Sequence, residues 1–130
     1  MTNDRIFWKI PQRVVILKAA RDASIETVQS DTQSMMELVN SGTPPVHMIF
    51  DVTDIGMIPP DMEMTGEILS LFDSQLLGQT VIVGFQQQDM QILRSARDAI
   101  THLTGKPIEF ANTFAEALAY FKQHDPTLDV

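Results

Sequence analysis

The sequence predicts an α/β fold with a mainly parallel central sheet and an antiparallel edge strand. Short apolar segments typical of buried strands alternate with longer segments whose apolar residues recur at helical spacing. Two strand-like segments stand next to each other at the start, before the first helical segment. The predicted order is therefore β-β-α-β-α-β-α-β-α. Alternation of this kind implies parallel pairing with right-handed crossovers.

The two strands at the start form a predicted hairpin. RIFWKI and RVVILKA are strand-like, and Pro11 and Gln12 between them make a turn. The next segment changes to a helical period, with Ser24 as a candidate N-cap and Gly42 as a candidate end. Its inward face is predicted to carry Ile25, Val28, Thr32, Met35 and Val39.

The middle of the chain predicts a central strand, a helix and another buried strand. Val46 to Phe50 is short and apolar, and the preceding Pro44-Pro45 prevents a helix from continuing into it. Pro60 suits a first helical position, because its missing N–H would be unbonded there anyway. The helix face is predicted to carry Met64, Ile68, Leu71, Phe72 and Leu76, and QTVIVGF follows as a strand.

The last third predicts helix, strand and helix. Gly105 is expected to end the third helix, and PIEFAN is the last strand. Thr113 and Glu116 have the spacing of a capping box, which starts the fourth helix. The inward faces of these two helices are predicted to carry Leu93, Ala96, Ile100 and Leu103, and then Phe114, Ala117, Leu118 and Phe121.

Size and composition narrow the possible classes of function. The length of 130 residues predicts one domain spanning 1–130, and 44% hydrophobic residues suffice for a core. A net charge of -8 argues against a nucleic-acid partner, which would need clustered Lys and Arg. Cysteine is absent, and no apolar run is long enough to span a membrane. We therefore expect a cytoplasmic protein without stable membrane insertion.

Polar residues follow several of the predicted strands. Ligands of open α/β sheets bind beyond the carboxyl ends of the strands. That edge, which we call the carboxyl-end rim, would carry Asp51, Thr53 and Asp54, then Gly84 and Phe85 to Gln88, and then Asn112 and Thr113. The two Asp residues could bind a metal or transfer protons, but a strand-end Asp more commonly orders the following turn.

The histidines do not predict a metal site. His47, His102 and His124 lack metal-ligand spacing, and His47 in a buried strand is expected to be a hydrogen-bonded core or interface residue. No metal, cofactor or catalytic residue is assigned. Arg94 and Arg97 are expected to be solvated or paired with nearby Asp residues.

A methionine-rich loop follows the central strand. Met57, Met62 and Met64 could form an adaptable partner surface, cover an apolar ligand, or pack onto the helices. At the other end of the chain, alternation turns one of Phe7 and Trp8 outward. An exposed aromatic residue on an edge strand would favour a homodimer.

The element order, VHMIFDVTDI as central strand and FANTFAEALAYF as closing strand and helix resemble the STAS domains, in particular the SpoIIAA-like branch of anti-sigma-factor antagonists. That branch is structurally related to a lipid-binding fold. The resemblance implies a phosphorylated Ser or Thr in a D-S-S/T-G turn at a helix start. That motif is absent here. Thr65-Gly66 is the nearest analogue, so Thr65 is the phosphoacceptor candidate, although Asp61, Glu63 and Glu67 surround it.

The resemblance implies a non-catalytic, bacterial regulatory or protein-interaction domain. Its binding surface would be the loop after Asp51, the start of the second helix, and the rim near Gly84. A protein partner is expected. The alternative is a small apolar-ligand or lipid-binding protein in which the methionine-rich loop acts as a lid. A third hypothesis is an enzyme that uses Asp51 and Asp54.

Overall fold

The structure is a computed structural model that describes residues 5–21, 25–54 and 66–128. Within these ranges the chain forms five strands and four α-helices, in the order predicted. The α/β class, the mainly parallel sheet and the antiparallel edge strand are confirmed. The elements are β1 Ile6–Ile10, β2 Val14–Lys18, α1 Ile25–Ser41, β3 Val46–Asp51, α2 Gly66–Asp73, β4 Leu77–Val83, α3 Met90–Thr104, β5 Ile108–Phe110 and α4 Phe114–His124.

The strands lie in the sheet in the same order as in the sequence, β1-β2-β3-β4-β5. β1 is antiparallel to β2, and the three following pairs are parallel. A right-handed crossover to the next strand on the same side always places its helix on the same face of the sheet. The unreversed order therefore places α1, α2 and α3 together on one face and leaves the other face for α4.

The face under α1, α2 and α3 holds the larger part of the core. Met35 and Val39 of α1, Leu71 of α2, and Leu93 and Ile100 of α3 are all buried there. They pack on strand residues that alternate along the sheet, as the period of two requires. These strand residues include Val15, Leu17, Val46, Met48, Ile82 and Ile108.

The opposite face is covered by α4 and by the segment that follows it. Phe121 of α4 and Leu128 beyond its end are both fully buried. They pack on the other set of alternating strand residues, Val14, Ile16, Ile49, Val81 and Val83, together with Ala117 of α4. Thr113 caps α4 as predicted, because its side chain accepts the N–H of Glu116 at 3.1 Å.

The edge strand β1 shows the predicted alternation. Phe7 is 38% exposed, whereas Trp8 is half-buried against the three-helix face. The pairing with β2 is irregular between Trp8 and Ile10, which places Lys9 at the irregularity. A lysine and an irregular ladder both discourage pairing with a further strand. The start of β1 is tied to α1 by Arg5, whose guanidinium bonds both carboxylate oxygens of Asp31 at 2.7 Å.

Three residues predicted for inward helix faces lie elsewhere. Helix α2 ends at Asp73, and the Ser74 hydroxyl accepts the N–H of Leu76, so Leu76 lies beyond the helix in a turn. Leu103 is 59% exposed. At about 100° per residue it lies roughly 80° from Leu93 around α3, whereas Thr104 lies roughly 20° from it. Phe114, at 36% exposure, is the first residue of α4 and precedes the first buried residue of that helix, Ala117.

Among the described helices, none combines the length and apolar character needed to cross a bilayer. The longest, α1, has 17 residues and an exposed polar face.

One buried hydroxyl tests the packing of the three-helix face. Thr80 in β4 is 2% exposed, and its Oγ1 has no hydrogen-bond partner among the described residues. We expect Thr80→Val to raise the free energy of unfolding by about 1 kcal/mol, because it removes an unbonded buried polar group while keeping the shape. Urea unfolding monitored by circular dichroism measures the change.

Thr32→Val is the matched control. Thr32 is also buried, but its hydroxyl donates to the carbonyl oxygen of Val28 at 2.7 Å. This substitution should lower the free energy of unfolding by about 0.5–1.5 kcal/mol. A loss of stability in Thr80→Val as large as that in Thr32→Val would contradict the assignment of an unbonded hydroxyl.

Candidate functional site

The strand-end Asp51 holds the turn that follows β3. Its Oδ1 accepts hydrogen bonds from the backbone N–H of Thr53 at 2.9 Å and from the Thr53 hydroxyl at 2.5 Å. Asp51 is 7% exposed, whereas Thr53 and Asp54 are exposed. An Asp that bonds its own backbone two residues on is a recurrent turn device. The turn-ordering role weighed for Asp51 in the sequence is therefore the one the geometry supports.

Gly84 completes this arrangement at the end of β4. Its φ is +77°, and a Cβ there would lie 2.1 Å from the Thr53 hydroxyl oxygen and 2.8 Å from Asp51 Oδ1. The position requires glycine both for its backbone conformation and for space. Asp51, Thr53 and Gly84 thus form one close-packed group, which we call the strand-end group, joining the ends of β3 and β4.

Phe85, next to the strand-end group, belongs to a cluster that the sequence did not predict. Its ring meets Phe110 of β5 edge to face, with centroids 5.5 Å apart. On α3 the Arg97 guanidinium lies 5.3 Å from the Phe110 ring centroid. All three side chains are half-buried. Arg97 also pairs with Asp98 at 3.0 Å, as the sequence suggested. We call Phe85, Arg97 and Phe110 the aromatic cluster.

The structure brings together part of the surface predicted from the sequence. Asp51, Thr53, Asp54, Gly84 and Phe85 all lie at the carboxyl-end rim. Four further predicted residues, Met57, Met62, Met64 and the phosphoacceptor candidate Thr65, lie outside the described residues.

The strand order removes one reason for expecting a ligand crevice at this rim. Crevices in open α/β sheets form where the strand order reverses and neighbouring loops separate to opposite faces. The order β1-β2-β3-β4-β5 contains no reversal. In the described structure, the rim therefore offers a surface between adjacent strand ends, built on the strand-end group.

A second polar site lies at the opposite edge of the sheet, the amino-end rim. His47 of β3 is 2% exposed. Its Nδ1 lies 2.9 Å from the backbone nitrogen of Gln79, which can only donate. Nδ1 must therefore accept, and the ring proton sits on Nε2, which donates to Asp125 Oδ2 at 2.9 Å. The buried, hydrogen-bonded position expected for His47 is confirmed, and both ring nitrogens are occupied by protein groups.

The Gln79 N–H needs this acceptor because the pairing of β3 with β4 is irregular. Val46 pairs with Leu77 and Met48 with Thr80, so Gly78 and Gln79 together stand opposite His47. The imidazole replaces the missing strand carbonyl at this bulge. A Cβ on Gly78 would come within 2.6 Å of the ring, so glycine makes room for it.

Asp125, just beyond α4, also accepts hydrogen bonds from Arg13 and Thr127. Its Oδ2 also accepts from Arg13 Nη2, and its Oδ1 accepts the N–H and hydroxyl of Thr127 at 3.1 and 2.5 Å. Burial favours the neutral acid. The hydrogen bonds from Thr127 and His47 and the Arg13 charge outweigh it, and the pKa of Asp125 falls to about 2. We call Arg13, His47, Asp125 and Thr127 the buried polar cluster.

Of this cluster, only His47 was predicted from the sequence. One local signal points to part of it, because Asp51-Val52-Thr53 and Asp125-Pro126-Thr127 share the spacing Asp-x-Thr. In both, the carboxylate accepts the N–H and hydroxyl of the threonine two residues on. Over the described part of the chain, no three His, Asp or Glu side chains lie close enough together to hold a metal ion.

Comparisons of the sequence with family models, with curated proteins and with solved structures find no significant match.

Gly84→Ala tests the strand-end group. The substitution combines an unfavourable backbone conformation with overlap onto Thr53, and should lower the free energy of unfolding by about 2–4 kcal/mol. Gly105→Ala is the matched control, since its φ is +76° and an added Cβ meets nothing within 4 Å in the described structure. It should cost about 1 kcal/mol. If denaturant unfolding gave the same loss of unfolding free energy for both variants, the close packing at Gly84 would not add to the cost of the substitution.

The buried polar cluster predicts a specific loss of stability in acid. The pKa of Asp125 is about 2 in the folded protein against 3.8 ordinarily, which corresponds to about 2 kcal/mol. Because the folded pKa is lowered, this stability is complete above pH 3.8 and disappears as pH falls through about 2. Denaturant unfolding of the wild type at a series of pH values across this window measures the loss.

Asp125→Asn should be less stable by about 2 kcal/mol or more at roughly pH 7.5, and should approach the wild type as the pH falls. Asp98→Asn changes a carboxylate that is 70% exposed, and should leave the acid dependence unchanged. An unaltered acid dependence in Asp125→Asn would assign the loss to other groups.

Proposed function

We propose that this protein is a non-catalytic interaction domain of the STAS type that binds a protein partner at its carboxyl-end rim. The proposed surface comprises Thr53, Asp54 and Phe85 around the strand-end group, and extends to Met57, Met62 and Met64 of the loop. A bacterial, cytoplasmic setting and a homodimer remain predictions that accompany this proposal.

The proposal rests on the hydrogen bonds that Asp51 accepts. The carboxylate at this edge is buried and accepts two hydrogen bonds from Thr53. An acid committed in this way fixes the direction in which the chain leaves β3. It supports a role as scaffold for the exposed Thr53 and Asp54, and does not favour acid-base chemistry by the pair Asp51 and Asp54.

The aromatic cluster supports the same surface. Protein interfaces are enriched in aromatic residues and arginine, and residues of these types dominate measured binding energies. Phe85, Arg97 and Phe110 are half-buried and held against one another, so their rings and guanidinium are already ordered before binding. A partner would lose little side-chain entropy in ordering them.

The buried ionisable groups of the described structure support a non-catalytic role. Asp31 bonds Arg5, and Asp125 bonds Arg13, His47 and Thr127. His47 uses both ring nitrogens. Groups arranged in this way stabilise the fold.

A charge reversal at the rim tests the proposal. Wild-type protein and the variant Asp54→Lys are used as bait in extract of the source cells, and an enriched partner is identified by mass spectrometry. Its dissociation constant is then measured with purified components. We expect Asp54→Lys to weaken binding by about tenfold or more, because a surface acid in the interface becomes a like charge for its counterpart.

Asp73→Lys is the matched control. It makes the same charge change on an exposed residue at the end of α2, next to the amino end of β4, and should leave the affinity unchanged. Equal affinities for both variants would contradict the proposed surface. A small apolar molecule that is bound in native mass spectrometry and released on denaturation would instead favour the ligand-binding alternative.

A further inference from the structure

The imidazole of His47 is enclosed on both sides. Phe121 of α4 stacks on it, with ring centroids 4.9 Å apart and planes 17° apart. Gly78 lies so close on the strand side that even a Cβ there would overlap the ring. The ring cannot reach water while α4 and the residues after it remain docked, since His47 is 2% exposed.

The hydrogen bonds around His47 are compatible only with the neutral form of its ring. In the neutral ring Nε2 donates to Asp125 and Nδ1 accepts the N–H of Gln79. A second proton would sit on Nδ1 and face the Gln79 N–H across 2.9 Å. Two donors would then oppose each other in a buried place, and the Gln79 N–H would lose its bond at the bulge.

The charges around His47 favour the same state. Arg13 and Asp125 balance each other, so the buried polar cluster is neutral as long as the imidazole is neutral. A charged imidazolium would share Asp125 Oδ2 with Arg13 and leave a net positive charge in a buried site. Interactions with Arg13 and His124 also lower the pKa of His47. Among the described residues, the charged and titratable groups that interact with His47 are Arg13, His124 and Asp125.

We propose that neutral His47 holds the segment Asp125–Leu128, the closing segment, against the sheet, and that protonation of His47 releases it. Leu128 is fully buried beside Val14 and Phe121, so release would uncover an apolar strip at the amino-end rim. This surface is separate from the rim proposed above for partner binding. Release of the closing segment would make the exposure of the apolar strip depend on pH.

The direction of the pH dependence follows from burial. Burial lowers the pKa of His47 below 6.5, against the opposing effects of its hydrogen bond and charge interaction with Asp125. A histidine in the released state regains its ordinary pKa and binds the proton more strongly. Docking of the closing segment is therefore complete above pH 6.5 and weakens as pH falls below it.

Nuclear magnetic resonance of the intact chain tests the proposal. The ¹⁵N shifts of the His47 ring report its protonation between about pH 7.5 and 5, and backbone order parameters report mobility at Thr127 and Leu128. We expect those order parameters to fall from about 0.85 to below about 0.6 in the same pH step in which His47 titrates. The amides of α3 should keep their order throughout.

His47→Gln is the matched variant. Glutamine offers a donor for Asp125 and an acceptor for Gln79 without titrating, so the closing segment should stay ordered across the whole range. His124→Gln removes a neighbouring histidine and should leave the transition in place. Release at the same pH in His47→Gln would overturn the proposal.

If His47→Gln does not fold, measurements on the wild type alone still test the proposal. Unchanged order at Thr127 and Leu128 while His47 titrates would overturn the proposal. Loss of order in α3 together with the closing segment would do the same, because it would show acid unfolding of the whole protein.

Discussion

The two hydrogen bonds of the His47 ring join the bulge of β4 to the segment that follows α4. One nitrogen satisfies the β4 bulge, and the other holds Asp125 at the end of α4. Phe121 lies flat on the same ring. The single-helix face of the sheet is closed by α4 and Leu128, and the bulge between two central strands supplies one of the interactions that hold them there.

The unreversed strand order explains why α4 has to cover one face of the sheet. Three crossovers place their helices on one face, and none of the helices described in these connections lies on the other. The last helix and the closing segment cover it instead, and they are attached at their far end through the buried polar cluster. At the carboxyl-end rim, by contrast, the ends of β3 and β4 are joined locally by the strand-end group.

The class of fold could be predicted because hydrophobic period is a local property. The turn-ordering role of Asp51 was also accessible, since its partner lies two residues away. Helix faces and helix ends were less accessible. Leu103 lies roughly 80° around α3 from the buried Leu93, and Leu76 lies beyond the end of α2. The aromatic cluster and the buried polar cluster join residues far apart in sequence, and residue type alone gives no sign of which ones meet.

The contact between Arg13 and Asp125 spans 112 residues, almost the whole described chain, whereas each strand pairs with its neighbour in sequence. Closing so long a loop costs more chain entropy than pairing neighbouring strands. The hairpin and the parallel strands can therefore assemble in succession before this contact forms. Interactions made late contribute little to the folding barrier and mainly slow unfolding. We infer that the contact between Arg13 and Asp125 mainly slows unfolding.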